Sequence, residues 1–289
     1  MRRLLPLLLL LGWTSVAHAT EIKLATWNIA WLTLRQTGDP DLPRGLVTRG
    51  PADFTRLADY ARRLDADIVA LQEVDGAEAA GRVFDPRQYR FHFTDERDIQ
   101  RPGFAWRGNL RVTPNPDLVE LDLRPQARFS LRRGADVTLE AGRSRLRLLS
   151  VHLNAGCREG ALDRPTSECE SLARQSAILA EWIRARRQEG VGFVILGDFN
   201  RRMEGAGEAM LAELNAAAPL TRANEGVSNP CWTDARGGRP FISHLLLGGP
   251  ARQWADRSSL RVLVYGERDV SLRDRISDHC PVSLRLRLP

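Results

Sequence analysis

The sequence predicts an α/β protein. Apolar runs of seven to ten residues read as buried strands, and amphipathic stretches between them read as helices. No long linker or low-complexity tract divides the 289 residues, so helix following strand implies layered packing in one domain.

The chain opens with "MRRLLPLLLLLGWTSVAHAT", in which Arg2 and Arg3 precede an apolar stretch, Leu4 to Leu11, and then Ala17-His18-Ala19. This layout predicts a secretory signal peptide over 1–19, cut after Ala19, with residues 20–289 as the mature domain. The apolar stretch is too short to span a bilayer. Thr20 stands where a lipid-anchored protein would carry cysteine, so no stable membrane insertion is expected. The mature chain is expected to be secreted or periplasmic, and to act as a monomer.

The first strand reads as "IKLATWNI" (22–29). "PADFTRLADYARRLDA" follows as a helix presenting Phe54, Leu57, Ala58 and Ala61 on one face. "IVALQEV" (68–74) is the second strand. Residues 82–142 alternate short apolar pieces with Gly and Pro, and read as an antiparallel region. "LRLLSVHL" (146–153), the helix "SLARQSAILAEWIRARRQEG" and "FVILGDFN" (193–200) form the next unit. "FISHLLL" (241–247) and "HCPVSLRLRL" (279–288) complete the strands.

These strands share one feature. At or just past their ends stand Asn28, Glu73, His152 with Asn154, and Asp198 with Asn200, while Asp278 and His279 precede the last strand. Strand ends project side chains rigidly into the crevice where α/β proteins bind ligands. Carboxylates, amides and histidines without thiolates suit a hard cation such as Mg²⁺, Mn²⁺ or Ca²⁺.

The four cysteines suit an oxidising compartment and allow two bridges in three connectivities. Cys157 and Cys169 flank the Gly- and Pro-containing loop "CREGALDRPTSEC", which is expected to be stapled. Cys231 with Cys280 is then the second pair, two unpaired buried thiols being the alternative.

The formal charge is +6, and +4 without Arg2 and Arg3. This modest excess favours polyanionic partners, because Arg pairs bidentately with phosphate. Either Arg132 or Arg133 could grip a substrate phosphate, or both could be solvated at a strand end. Strand alternation makes His92 a solvent-facing partner of Arg90, and His244 is expected to point away from the site. Trp182, Trp232 and Trp254 read as core or rim, with no exposed aromatic cluster for base stacking or lipid insertion.

"TWNI", "LQEV", "SVHLNAG", "GDFN" and "SDHCP" occur in the order found in the endonuclease/exonuclease/phosphatase superfamily, which the chain resembles over residues 22–285. The most similar members are deoxyribonuclease-like, secreted bacterial proteins. The resemblance implies a four-layer α/β sandwich, two mixed β-sheets face to face with helices outside. It implies that Glu73, Asn28 and Asp278 hold or adjoin the metal, and that Asp198 orients and helps deprotonate the attacking water. Asn200 would steady the phosphate, His279 would bond a phosphate oxygen, and His152 would contact the phosphate or assist the leaving group. Asn154 would add a further phosphate contact; apart from the resemblance, the "LRRG" loop offers Arg133 as a substrate contact.

The chemistry asks for the same residue types. Hydrolysing a phosphodiester requires an activated water, neutralisation of phosphoryl charge and help for the departing alkoxide. One departure stands out: the family pattern has an aspartate orienting the last histidine, and this sequence offers Ser243. Ser243, Asp234 or a water could substitute. Lacking a carboxylate partner, His279 is expected to be less protonated near neutral pH.

The expected function is a divalent-metal-dependent phosphodiester hydrolase, an extracytoplasmic nuclease of low sequence specificity. The alternatives are a phosphatase or phosphodiesterase for small phosphate esters or phospholipid head groups, and a weakened member that only binds phosphorylated ligands. Selectivity is expected in loops 34–52, 85–117 and 202–230.

Overall fold

The computed structural model describes residues 19–205, 207–232 and 239–289. The leader read at 1–19 lies outside the described residues apart from Ala19, and Asp234 lies outside them too.

Two parallel strand pairs organise the molecule. β1 (Thr20–Leu32) and β2 (Ile68–Val74) pair in parallel, with α1 (Pro51–Leu64) between them in the chain. Pro51 starts α1, and Asp53 accepts a hydrogen bond from the Gly50 N–H at 3.0 Å, satisfying an otherwise orphaned donor. A short α2 (Gly76–Ala80) follows, then β3 (Tyr89–Phe93) and β4 (Arg101–Arg107).

The second pair comes from the next stretch of chain. β5 (Arg111–Pro114) and β6 (Ala135–Ala141) precede β7 (Ser144–His152), which runs parallel to β8 (Gly192–Asp198) across α3 (Ser167–Glu189). Thr166 caps α3 by accepting from the Cys169 N–H, and Gly190 closes it with φ 67°. Then come α4 (Ala209–Ala217), β9 (Leu220–Arg222), β10 (Ser243–Gly248), α5 (Ala251–Trp254), β11 (Ala255–Val262), α6 (Arg273–Ile276) and β12 (Val282–Leu288).

The strands form two six-stranded mixed sheets, in the orders β11-β12-β1-β2-β4-β3 and β5-β6-β7-β8-β10-β9. Their facing sides share one core, with Leu24, Ala70, Phe104 and Leu284 meeting Val137, Leu148, Leu196 and Leu245. The outer face of the first sheet packs under α1, where Leu57 and Leu64 meet Trp27 and Leu71. That of the second packs under α3 and α4, where Leu172, Ile183 and Leu214 meet Val151 and Ile195. This is the expected four-layer sandwich. The 82–142 region is antiparallel as expected but divided: β3 and β4 join the first sheet, and β5 and β6 the second.

Both expected disulfides are present, Cys157–Cys169 and Cys231–Cys280. No described helix is long and apolar enough to cross a membrane.

His244 lies fully buried on the helix-facing side of β10, opposite in direction to Ser243, with Nε2 2.8 Å from the Arg201 carbonyl. Burial lowers its pKa from 6.5 to about 3. Above pH 6.5 the imidazole is neutral folded or unfolded; below it only the unfolded chain takes the proton. Stability is therefore lost as pH falls from 6.5 towards 3. At pH 5 this one group costs about 2 kcal/mol by linkage. His244→Gln is expected to show a correspondingly smaller loss of urea midpoint between pH 7 and pH 5, measured with chelator present. An equal loss in both proteins would contradict this account.

Candidate active site

Strand parity builds the site. On β1, Ile22 and Leu24 face the second sheet, and the same side continues to Thr26 and Asn28. On β7 it runs through Leu146 and Leu148 to Ser150 and His152; on β8, through Val194 and Leu196 to Asp198. Register places His152 beside Asp198, and Asp198 beside Ser243. Because the central pair of each sheet is parallel, these ends gather at one end of the space between the sheets.

A polar layer separates hydrocarbon from site. Thr26 Oγ1 donates to Gln72 Oε1 (3.1 Å), Gln72 Nε2 donates to Ser150 Oγ (3.0 Å), and Ser150 Oγ donates to the Leu71 carbonyl (3.1 Å). The three side chains satisfy one another and tie the sheets together under the site, as buried polar groups must.

Glu73 reaches the site through a bulge. Between Leu71 and Val74 the pairing with β4 slips by one residue, and Glu73 adopts φ 58°. Val74 therefore resumes the core-facing side, and the carboxylate turns towards the second sheet. Asn28 Nδ2 donates to Glu73 Oε1 (2.9 Å) and Asp198 Oδ2 (3.0 Å), bridging the sheets. Trp31 N–H donates to Glu73 Oε2 (3.1 Å), and Asn200 N–H to Asp198 Oδ1 (2.8 Å).

Two histidines flank the carboxylates in different states. His152 Nε2 lies 3.6 Å from Glu73 Oε1 and 3.9 Å from Asp198 Oδ2. Burial, then the nearby Arg132 and His279 charges, hold its pKa well below 6.5, so it is neutral at pH 7. His279 Nε2 lies 3.4 Å from Asp198 Oδ2. Burial pulls His279 down, but Asp198, Asp278 and Glu73 together outweigh it and raise its pKa. Nearby carboxylates thus hold His279 above its ordinary pKa even without an aspartate at position 243. Its backbone is fixed too, the N–H by Ser277 Oγ (2.9 Å) and the carbonyl by the Tyr265 hydroxyl (2.5 Å).

Glu73, His152 and Asp198 can each offer a ligand atom within 4.8 Å of one another. The donors fit a hard divalent cation: two carboxylates, buried enough that desolvation raises the Glu73 pKa, share one neutral amide between them. Asp278, expected as a ligand, is not in that cluster. Its carboxylate is more than a third exposed, 3.9 Å from His279 Nε2 and 3.7 Å from the Arg273 guanidinium. Asn28 adjoins the cluster as a hydrogen-bonding bridge.

Other expected residues take different places. Asn154 commits Nδ2 to the carbonyls of Ala155 and Glu168, so the loop, not a phosphate, receives that donor. Asn200 gives its side chain to the Leu153 carbonyl (3.0 Å), and its clearest service is the backbone bond that orients Asp198. Arg133 lines a cleft of about 990 Å³ with Arg35, Arg97, Arg101 and Arg128. Six carboxylates line it as well, among them Glu96, whose pKa burial raises to about 7, so this cleft is not basic. The more basic side lies elsewhere: among the described residues, a pocket of about 200 Å³ carries Arg158, Arg202, Arg239 and Arg273 with the carboxylate Asp278, Arg202 being paired with Glu159 and Arg273 with Asp278, and it reaches Ser243 and His279. His92 is half-buried and faces Asp117 at 3.5 Å, not Arg90. Trp182 is core, donating to Asp136 (2.8 Å), and Trp232 donates to the Ser277 carbonyl behind His279.

Residues 25–279 match the Endonuclease/Exonuclease/phosphatase family. The chain belongs to this family. Its members are phosphoric ester hydrolases that use divalent metals. Similar solved structures include truncated TDP2 from Caenorhabditis elegans, at 15% identity and TM-score 0.58, covering 92% of this chain and 98% of that one. The 3′ phosphatase NExo from Neisseria, bound to a product DNA hairpin, has 18% identity and TM-score 0.58, covering 92% and 99%. A family protein from Bacteroides thetaiotaomicron has 14% identity and TM-score 0.58, covering 94% and 99%. No curated protein sequence matches the chain. At these identities the structural likeness speaks to the fold.

The departure from the family pattern has a direct structural counterpart. Ser243 Oγ lies 3.0 Å from His279 Nδ1, so serine occupies the orienting position. Ser243→Asp would add charge there and raise the His279 pKa further, keeping it protonated to higher pH. Turnover is expected to rise about 10–100-fold, the scale of such supporting contacts, with activity extended to higher pH. Matching pH–rate profiles of the two proteins on one substrate with saturating metal would contradict it.

Proposed function

We propose that the protein is an extracytoplasmic, divalent-metal-dependent phosphodiesterase, acting as a nuclease of low sequence specificity. The observation that carries this reading is the setting of Asp198. Its two oxygens are held by the Asn200 N–H and the Asn28 amide, and His279 stands 3.4 Å away. A carboxylate so fixed can orient a water and accept its proton. His279, held above its ordinary pKa, can donate to a phosphoryl oxygen. Neutral His152, on the other flank, can donate to the same group or to the leaving oxygen. Glu73, in the cluster it forms with His152 and Asp198, would hold Mg²⁺, Mn²⁺ or Ca²⁺ beside the Asp198 base. The cation would neutralise phosphoryl charge and acidify water.

The four-arginine pocket beside His279 supports a substrate carrying more than one phosphate, which favours nucleic acid over a small ester. The two disulfides support an oxidising compartment, consistent with the leader read at 1–19. The test is hydrolysis of plasmid DNA, RNA, bis(p-nitrophenyl) phosphate and p-nitrophenyl phosphate, each with Mg²⁺, Mn²⁺ or Ca²⁺ and with chelator. Cleavage of nucleic acid with every metal lost to chelator is expected. Turnover of the monoester alone would replace the reading with a phosphatase. Metal-dependent binding without turnover would replace it with a ligand-binding protein.

A further inference from the structure

Arg49 lies in the loop before α1, far in sequence from any site residue. Its guanidinium donates to four backbone carbonyls: Nη2 to Ile29 (2.7 Å) and Ile276 (2.9 Å), Nη1 to Trp31 (3.1 Å), and Nε to Arg275 (2.9 Å). Among the described residues it makes no ion pair. A half-buried cation used only to collect carbonyls needs a reason.

The reason lies in β1. Ala30 and Trp31 have φ 44° and 56°, a left-handed conformation that costs non-glycine residues about 1–3 kcal/mol each. That turn aims two N–H groups into the site, Ala30 at Asn28 Oδ1 (2.9 Å) and Trp31 at Glu73 Oε2 (3.1 Å). The carbonyls of Ile29 and Trp31 then leave the sheet's hydrogen bonding, and Arg49 receives both. Its other two acceptors, Arg275 and Ile276, end the segment that leads into Ser277, Asp278 and His279. Ser277 Oγ closes the circuit by donating to the Asn28 carbonyl (2.7 Å).

We infer that Arg49 is a positioning residue of the metal site, holding the Ala30–Trp31 turn so that its N–H groups orient Asn28 and Glu73. Burial lowers its pKa to about 10, with Tyr265, Asp53, Glu73 and Asp278 opposing, so it stays charged at neutral pH. The inference rests on the proposed metal site but not on hydrolysis of any particular substrate.

The sign of one effect separates positioning from charge. Arg49 is a cation near the ligands, so if its charge alone mattered, removing it would strengthen cation binding. If it positions Glu73, removing it weakens binding. Mn²⁺ affinity would be measured without substrate by electron paramagnetic resonance for wild type, Arg49→Met and Arg49→Lys. Weakening of about 10–100-fold is expected in both variants, because lysine keeps the charge but not the fork. Faster hydrogen exchange at the Trp31 amide should accompany it. If Arg49→Met fails to fold, Arg49→Lys alone decides by the same two readouts. Unchanged or tighter Mn²⁺ binding in the folded variants, with only a lowered Tm, would overturn the inference. Failure of wild type to hydrolyse any phosphate ester would instead strike at the proposed function and leave this test standing.

Discussion

Asp198→Asn is expected to lower phosphodiester turnover by at least about 10³-fold while the protein keeps its fold. General-base catalysis alone contributes about 10²–10⁴-fold, and this residue does more than accept a proton. Its Oδ2 accepts from Asn28 and lies 3.4 Å from His279 Nε2. An amide nitrogen placed there would face the Asn28 donor, breaking the bridge between the sheets. The substitution also removes the largest upward pull on the His279 pKa, so the imidazole loses its proton at lower pH. Turnover should therefore fall, and the falling limb of its pH profile should move to lower pH. Steady-state kinetics with circular dichroism as a check on folding would measure both. Near-wild-type turnover would remove Asp198 from the chemistry.

Glu73→Gln is expected to cost a similar factor, at least about 10³-fold, for a different reason. The carboxylate is held from both sides, Oε1 by Asn28 and Oε2 by the Trp31 N–H, and the bulge that delivers it uses a left-handed backbone. Such preorganisation serves a charge. Glutamine keeps the volume but supplies one neutral oxygen, and its NH₂ must face a donor on one side. Cation affinity should fall together with turnover, and raising the metal concentration should recover part of the rate. A drop in turnover with unchanged Mn²⁺ affinity would show that Glu73 is not a ligand. The protein should fold, since replacing a buried carboxylate removes a desolvation cost.

The fold was legible because the strands that carry it are apolar on both faces. "IVALQEV" has its expected bounds, and "FVILGDFN" becomes β8, which ends at Asp198, two residues before the expected Asn200. The exposed edge strand β11 was not legible, because "ADRSSLRV" is polar or half-exposed throughout and gives no period. The division of residues 82–142 between two sheets depends on long-range pairing that no local pattern encodes.

Of the site, Asn28, Glu73, His152, Asp198 and His279 converge as strand-end residues should. Thr26 and Ser150 had a usable signal, since each precedes a site residue by two and shares its face. Gln72 had the same signal from Ile68 and Ala70, whose face it continues, although the bulge after it breaks the alternation towards Glu73. Asp278 stands outside the cluster of Glu73, His152 and Asp198, since sequence adjacency to His279 does not fix where a carboxylate points; it lies 3.7 Å from Arg273. Arg49 was invisible, since its partners are carbonyls, and sequence carries no mark of an orphaned carbonyl.

The central claim, a divalent-metal-dependent phosphodiesterase at Glu73, His152 and Asp198, is tested most directly by one rate. Hydrolysis of bis(p-nitrophenyl) phosphate by the purified protein would be followed after exhaustive chelation, and again after Mg²⁺ or Mn²⁺ is returned. The account predicts that chelation abolishes turnover and that added metal restores it in wild type but not in Asp198→Asn. Turnover that survives chelation, or restoration that is equal in the variant, would contradict it.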